Sequence, residues 1–175
     1  MKNNLLIINS GYPPLKSYGG PSVSIENFVK NLSGEYNITV FTNSKEINGH
    51  ENKNIKKYIL IKGKYNENIY CLDKENFNFI FLNDKINSKF NLVYVNSFFN
   101  IRLMSIGLQY ALNQKIPLLI APRGELEENA LKIKKIKKSL YLTLYNFLVF
   151  FFKIPIYYQA TSESEFSNIQ KNKCK

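Results

Sequence analysis

The sequence predicts an α/β fold, a doubly wound and mostly parallel sheet with helices on its faces. Three observations carry that expectation. Short continuous apolar runs, such as residues 5–8 and 92–95, have the pattern of strands buried on both faces. Between them, apolar residues recur every three or four positions, as in helices, so strands and helices alternate along the chain. Glycine, asparagine and serine gather where the strands end, which is where an open parallel sheet forms its ligand crevice.

The first strand, residues 5–8, runs into GYPPLKSYGGPSVS (residues 11–24), a loop of Gly, Pro and Ser. Ile25, Phe28, Val29 and Leu32 then recur at helical spacing, and Gly34 supplies a stop. Strand, glycine loop and helix leave free backbone N–H groups and the positive end of a helix dipole aimed at an anion. Gly19 and Gly20 are therefore candidates for close approach by a ligand. The alternative is a plain connection in which Ser22 caps the helix.

Residues 37–42, NITVFT, read as the second strand from their β-branched and aromatic content. Residues 43–57 are rich in Asn, Lys, Glu and Gly and read as a mobile loop. Residues 58–61 and 69–72 are weaker strand candidates around a turn at Gly63, and Phe77, Ile80, Phe81 and Asp84 mark a short helix. The strand 92–95 ends on Asn96 and Ser97, placed either to line a crevice or, for Asn96, to cap the helix that follows over 101–113. Leu108, Ala111 and Leu112 are that helix's inward face.

The next strand, residues 117–121, stops at Pro122, which lacks an amide hydrogen and biases Ala121 towards extended backbone. Gly124 permits a positive φ or a close approach. Between them stands Arg123, one of only two arginines among 24 basic residues. A rigid five-donor guanidinium at a strand end suits bidentate recognition of a phosphate, carboxylate or diol. The competing reading pairs it with Glu125 or Glu127.

A long helix is expected after this turn, with Glu127 and Glu128 in its first turn, where they complement the dipole. Leu126, Ala130, Ile133, Ile136, Leu140, Leu144, Phe147 and Phe151 step by three or four residues and form one apolar stripe, expected to face the core. Five lysines between 132 and 138 lie largely off that stripe. They form either a solvated face or, with the aromatic residues up to Phe152, a helix lying on an anionic membrane. Residues 156–160 make a last strand with Thr161, Ser162 and Glu163 at its end, and a helix starts over 164–169.

At 175 residues the chain is long enough for one domain with its own core. A net charge of +11 and a pI near 9.5 fit anionic partners: nucleic acid, an anionic membrane surface or phosphorylated substrates. Cys71 and Cys174 form no spaced framework, His50 sits in a polar stretch, and no His/Cys metal site follows from this inventory. That cysteine usage points to a reducing, cytoplasmic setting. The opening apolar run leads straight into a Gly/Pro turn and reads as a strand rather than a signal peptide. The most apolar segment, 140–152, is shorter than the roughly 20 residues a membrane-spanning helix needs. Asp73 and Asp84 are the only aspartates, so there is no Asp-x-Asp pair to hold a metal diphosphate. RNP, KH and zinc-finger signatures are lacking too, which weakens a nucleic-acid-binding reading.

VYVNSFFN (residues 93–100), IPLLIAPRGELEENALKIKKIKKSLY (116–141) and ATSESE (160–165), in that order, resemble the N-terminal half of a GT-B glycosyltransferase of the GT4 type, in the branch that carries PRGEL. The resemblance implies a Rossmann-like, acceptor-side domain over residues 1–175, with the donor-binding C-terminal domain outside this chain and little transferase activity without it. It implies transfer of a hexose from a nucleotide sugar to a glycan or lipid-linked acceptor in polysaccharide biosynthesis, with no metal and no cofactor. It puts Gly19, Gly20 and Ser22 near the donor diphosphate. Arg123 and Gly124 would stand at the junction of donor and acceptor, and Asn96, Ser97, Glu125 and Ser162 complete the substrate-binding set. Many relatives carry histidine at the Arg123 position. Arginine does not deprotonate usefully, so the implied part for Arg123 is positioning or charge stabilisation. Residues 127–129, EEN, depart from the Ser-Pro-Gly of the family pattern. A cytoplasmic enzyme is implied, peripheral on the inner face of the plasma membrane through residues 132–152. The other function classes are a basic nucleic-acid-binding module and a non-catalytic, membrane-associated interaction domain.

Overall fold

The computed structural model describes residues 2–15, 17–50, 55–86 and 88–172, so Cys174 and part of the loop expected over 43–57 lie outside the described residues. Elements follow in chain order: β1 (Asn3–Asn9), α1 (Gly19–Leu32), β2 (Tyr36–Asn43), β3 (Leu60–Lys62), β4 (Asn68–Leu72), α2 (Phe79–Lys85) and β5 (Leu92–Asn96). Then come α3 (Ile101–Gln114), β6 (Leu118–Ala121), α4 (Glu128–Lys132), α5 (Lys135–Phe152), β7 (Ile156–Tyr158) and α6 (Glu163–Asn172).

The strands form one sheet in the order β3-β4-β2-β1-β5-β6-β7. Every pairing is parallel except β3 with β4, a hairpin at the sheet edge. Without that hairpin strand the order is the doubly wound one, in which the chain starts in the middle, builds outward to one side and then crosses to the other. The crossing falls between β1 and β5, so the connections that leave their carboxyl ends run to α1 on one face and α3 on the other, the place where such a sheet forms its ligand crevice.

Period-two alternation distributes the side chains of each strand between two cores. Leu5 and Ile7 point to the α1 side with Ile38, Val40, Ile25 and Val29. Leu6 and Ile8 point to the opposite side, where Val93, Val95, Leu103, Ile106 and Tyr145 bring α3 and α5 onto the sheet. Gly107 lets α3 lie close on β5, since a Cβ there would stand 2.3 Å from Val95 Cγ2. The buried strands and their order therefore follow the expected architecture.

The expected long helix is instead two. Lys134 takes φ 54°, a left-handed conformation that ends α4 and restarts the chain as α5. The apolar stripe also turns out reversed. Only its first member, Leu126, is buried, while Ile133, Ile136, Leu140, Leu144, Phe147 and Phe151 are exposed. Tyr141, Leu142, Tyr145 and Val149, on the other side of α5, meet the core. The core side holds two tyrosines whose rings meet the Phe98 ring edge to face and whose hydroxyls reach Phe98 O and Tyr158 Oη. Tyrosines packed on Phe98 with satisfied hydroxyls take the core side in place of the plainer apolar stripe.

Candidate functional site

The turn after β6 places Arg123. Glu125 N donates to Pro122 O at 3.1 Å, and both residues between them, Arg123 and Gly124, have positive φ, 55° and 82°. A glycine takes that conformation freely, whereas an arginine pays about 1 kcal/mol or more and keeps it only when its surroundings fix it.

Those surroundings are a chain of polar side chains across the carboxyl edge of the sheet. Arg123 Nε donates to Asn96 Oδ1 at 2.9 Å and Arg123 Nη2 to Tyr94 Oη at 2.7 Å. Tyr94 Oη donates onward to Gln159 Oε1 at 2.9 Å. Asn96 Nδ2 reaches Asn9 Oδ1 at 3.1 Å, and Asn9 Nδ2 reaches Gly11 O at 2.7 Å. The network thus ties together the ends of β1, β5, β6 and β7 across the crevice. Burial raises the Tyr94 hydroxyl above its ordinary 10.0, with the Arg123 guanidinium pulling it part of the way back, so at neutral pH it stays a donor to Gln159.

Two glutamates hold the turn from either side. Glu125 accepts from Ser97 Oγ at 2.7 Å, from Phe99 N at 2.9 Å and from Phe98 N, which satisfies the backbone between β5 and α3. Glu165 is fully buried, 0 % exposed, and accepts from Gly124 N at 2.7 Å, Thr161 N at 2.9 Å and Thr161 Oγ1 at 2.8 Å. Ser162 Oγ caps Glu165 N at 3.0 Å and donates to Glu127. A carboxylate that accepts several N–H bonds fixes a loop more firmly than neutral partners do.

Asn96, Ser97, Arg123, Gly124, Glu125 and Ser162 therefore stand at one edge of the sheet, joined through these bonds. Asn96 is buried and does not cap α3; Asn100 does, its Oδ1 accepting from Leu103 N at 3.3 Å. Nor does Arg123 pair with Glu125 or Glu127, because those carboxylates are bound to the β5–α3 loop and to Ser162. Among the described residues its hydrogen-bond partners are neutral, and three of its five donors remain. Gly19 and Gly20 begin α1 on the same side of the sheet, exposed, with open space where a Cβ would point. Ser22 is buried inside α1 rather than capping it; the capping position belongs to Tyr18. None of these three joins the Arg123 network among the described residues.

Beyond the ends of β2 and β4 lies a pocket of about 270 Å³ lined by Tyr18, Asn43, Lys45, Leu72, Lys74 and Arg102. Its three cationic side chains would attract an anion. Arg102 is held there by a bond from Nη1 to Lys74 O at 2.8 Å. Sequence reasoning missed Arg102, Tyr94, Asn9, Gln159 and Glu165. Only Arg102 carried a sequence signal, as the second of two arginines. Among the described residues no group of three or more His, Cys, Asp or Glu side chains could hold a metal ion. No protein-family model matches the chain, and no curated protein matches it.

Proposed function

We propose that this chain is the acceptor-side half of a GT-B glycosyltransferase, which moves a hexosyl group from a nucleotide sugar to a glycan or lipid-linked acceptor. One observation carries the reading beyond the motif resemblance. A guanidinium with spare donors and neutral partners is held on a left-handed turn at the crevice of a doubly wound sheet. An enzyme of this kind breaks the bond between the anomeric carbon and a diphosphate, so negative charge builds on the leaving group. Fixed positive charge and oriented N–H groups stabilise that change without having to reorganise. Arg123 supplies the charge, while Asn96 and Tyr94 fix its plane. The Lys45, Lys74 and Arg102 pocket gives a phosphorylated acceptor a place to anchor.

The whole enzyme should transfer sugar from at least one member of a panel of nucleotide diphosphate sugars. Transfer should fall when Arg123 is changed. No turnover of any donor, with tight oligonucleotide binding that weakens steeply with salt, would replace this reading by the nucleic-acid one.

A further inference from the structure

We infer that the outer face of α5 is the interface for a second copy of this chain, the two α5 helices crossing in opposite senses about a two-fold axis. This inference does not rest on the glycosyltransferase reading. Ile136, Leu140, Leu144, Phe147 and Phe151 are all exposed. On a helix with 3.6 residues per turn they fall within an arc of about 80°. They stand in two rows of residues four apart, Ile136–Leu140–Leu144 and Phe147–Phe151, and the two phenylalanine rings stack with centroids 6.3 Å apart. Rows of that kind interdigitate with identical rows on another helix, the commonest helix packing, at a crossing of about 50°. The face is therefore complementary to a copy of itself, as a two-fold interface requires. At such a crossing one end of each helix lies over the neighbouring groove of about 390 Å³, where Leu148 and Phe152 face Met104 and Leu108 of α3.

Area and charge select the occupant. A phenylalanine carries roughly 150 to 250 Å² of surface, so Phe147, Phe150, Phe151 and Phe152, at 63, 69, 67 and 47 % exposed, present about 500 Å². Ile136, Leu140 and Leu144, 85, 72 and 56 % exposed, bring the face towards the roughly 800 Å² that each partner buries in a stable interface. From Ser139 to Phe152 the helix has no charged residue, so nothing in the ridge repels a second copy or draws an acidic partner. The lysines stand at its start, Lys134, Lys135 and Lys137. Lys138 belongs to the fold, donating to Ala130 O at 2.6 Å and lying over the Phe99 ring. With the helices in opposite senses the two lysine clusters stand about 24 Å apart, because 18 residues rise 1.5 Å each. That is about three Debye lengths at physiological salt, so their repulsion is screened. A parallel pairing would bring the clusters together.

The test is sedimentation velocity of the intact chain between about 1 and 100 μM, since interfaces of this size give micromolar or tighter association. A species of twice the 20.4 kDa chain mass should dominate at the upper end, and added salt should not disperse it, because the contact is apolar. Leu140→Asp with Phe147→Asp should weaken association at least about a hundredfold and leave the circular dichroism unchanged, because both side chains face solvent. If that pair loses its helical signal, Ser105→Arg decides instead: it is an exposed position at the rim of the groove, and a charged side chain there should also favour the monomer. Val23→Asp with Ile80→Asp changes exposed apolar side chains on α1 and α2 and should leave the dimer intact. Four results would overturn the inference. They are a monomer throughout, which gives the face to a membrane if that monomer floats with anionic vesicles; a dimer that the α5 variants leave intact; a dimer that the Val23 and Ile80 pair disperses equally; or a dimer that dissociates as salt rises.

Discussion

Arg123 Nε lies 2.9 Å from Asn96 Oδ1, and that bond joins the carboxyl ends of two neighbouring parallel strands, β6 and β5. Asn96 also donates to Asn9 of β1, so one buried amide bridges the crevice and orients the arginine. Asn96→Ala strips a partner from each neighbour. The loss of a buried hydrogen-bond partner costs about 1 to 3 kcal/mol, so the variant should unfold at a lower urea concentration by about 2 kcal/mol. Asn96→Asp keeps the acceptor for Arg123 but loses the donor to Asn9, and should fall between the variant and the parent. An unchanged urea midpoint in Asn96→Ala would show that the network does not hold the crevice together.

Glu125 gives a second, separable prediction. Its two oxygens accept from Ser97, Phe98 and Phe99, all donors. Glu125→Ala removes both acceptor oxygens, so the Phe98 and Phe99 backbone donors are left unpaired. The expected cost is about 2 kcal/mol. Faster hydrogen exchange at Phe98 and Phe99 would locate it in the β5–α3 loop; uniform exchange over the whole chain would place the damage elsewhere.

Glu165 does the same on the other side of the turn. Its carboxylate reaches Gly124 N from α6, 41 positions along the chain. Glu165→Ala leaves Gly124 and Thr161 amides without acceptors and opens a void, for a loss of about 3 kcal/mol. Because Gly124 adjoins Arg123, any activity of the full-length protein should fall as well. Stability lost with activity intact would make Glu165 a fold residue only.

The sequence made the sheet legible because each buried strand is a short apolar run between breakers, and one run of the right length has few other readings. Arg123 and Asn96 stood out through composition and position at strand ends. Glu165 did not, since a single glutamate in SESEF has no periodicity, and its burial comes from a turn 41 residues earlier. The stripe on α5 failed for a different reason. Helical spacing shows that apolar residues share a face but not which way the face points. Tyr141 and Tyr145 won the inner side through their contacts with Phe98, a partner distant in sequence. The break at Lys134 has no local signal, since nothing in KIKKIKK distinguishes one lysine as left-handed.

Cys71 predicts a pH dependence. Burial pushes its thiol from the ordinary 9.0 up to about 11. In the unfolded chain the thiol releases its proton first, so above pH 9 the unfolded state binds fewer protons and stability falls as pH rises. The contribution is fully present below pH 9 and lost by pH 11, about 2 to 3 kcal/mol for two pH units. Tyrosines titrate in the same range, so the comparison is the parent against Cys71→Ala, in which those effects cancel. The stability difference between them should narrow from pH 8 to pH 11. A constant difference would mean that the thiol ionises as readily folded as unfolded. At pH 8 a thiol reagent should label Cys71 only after denaturant is added, because the side chain is 0 % exposed.

The last prediction separates the Arg123 side chain from its backbone. At φ 55° the residue is strained, so Arg123→Gly should recover about 1 kcal/mol of strain while losing the bonds to Asn96 and Tyr94. These terms oppose each other, and the melting temperature should move by only a few degrees. Arg123→Lys keeps the charge and the strain but cannot present a planar fork to two acceptors. Its charge-assisted hydrogen bonds are worth roughly 1.5 to 3 kcal/mol, so kcat/KM of the full-length protein should drop about ten- to a hundredfold in Arg123→Lys. The drop should be larger in Arg123→Gly, which removes the charge as well. Equal activity in parent and Arg123→Lys, with a lowered melting temperature, would make Arg123 a clamp between strands. Activity lost in both variants, with stability near-constant in Arg123→Gly, is the outcome the geometry predicts, because three of its N–H donors remain uncommitted at the crevice.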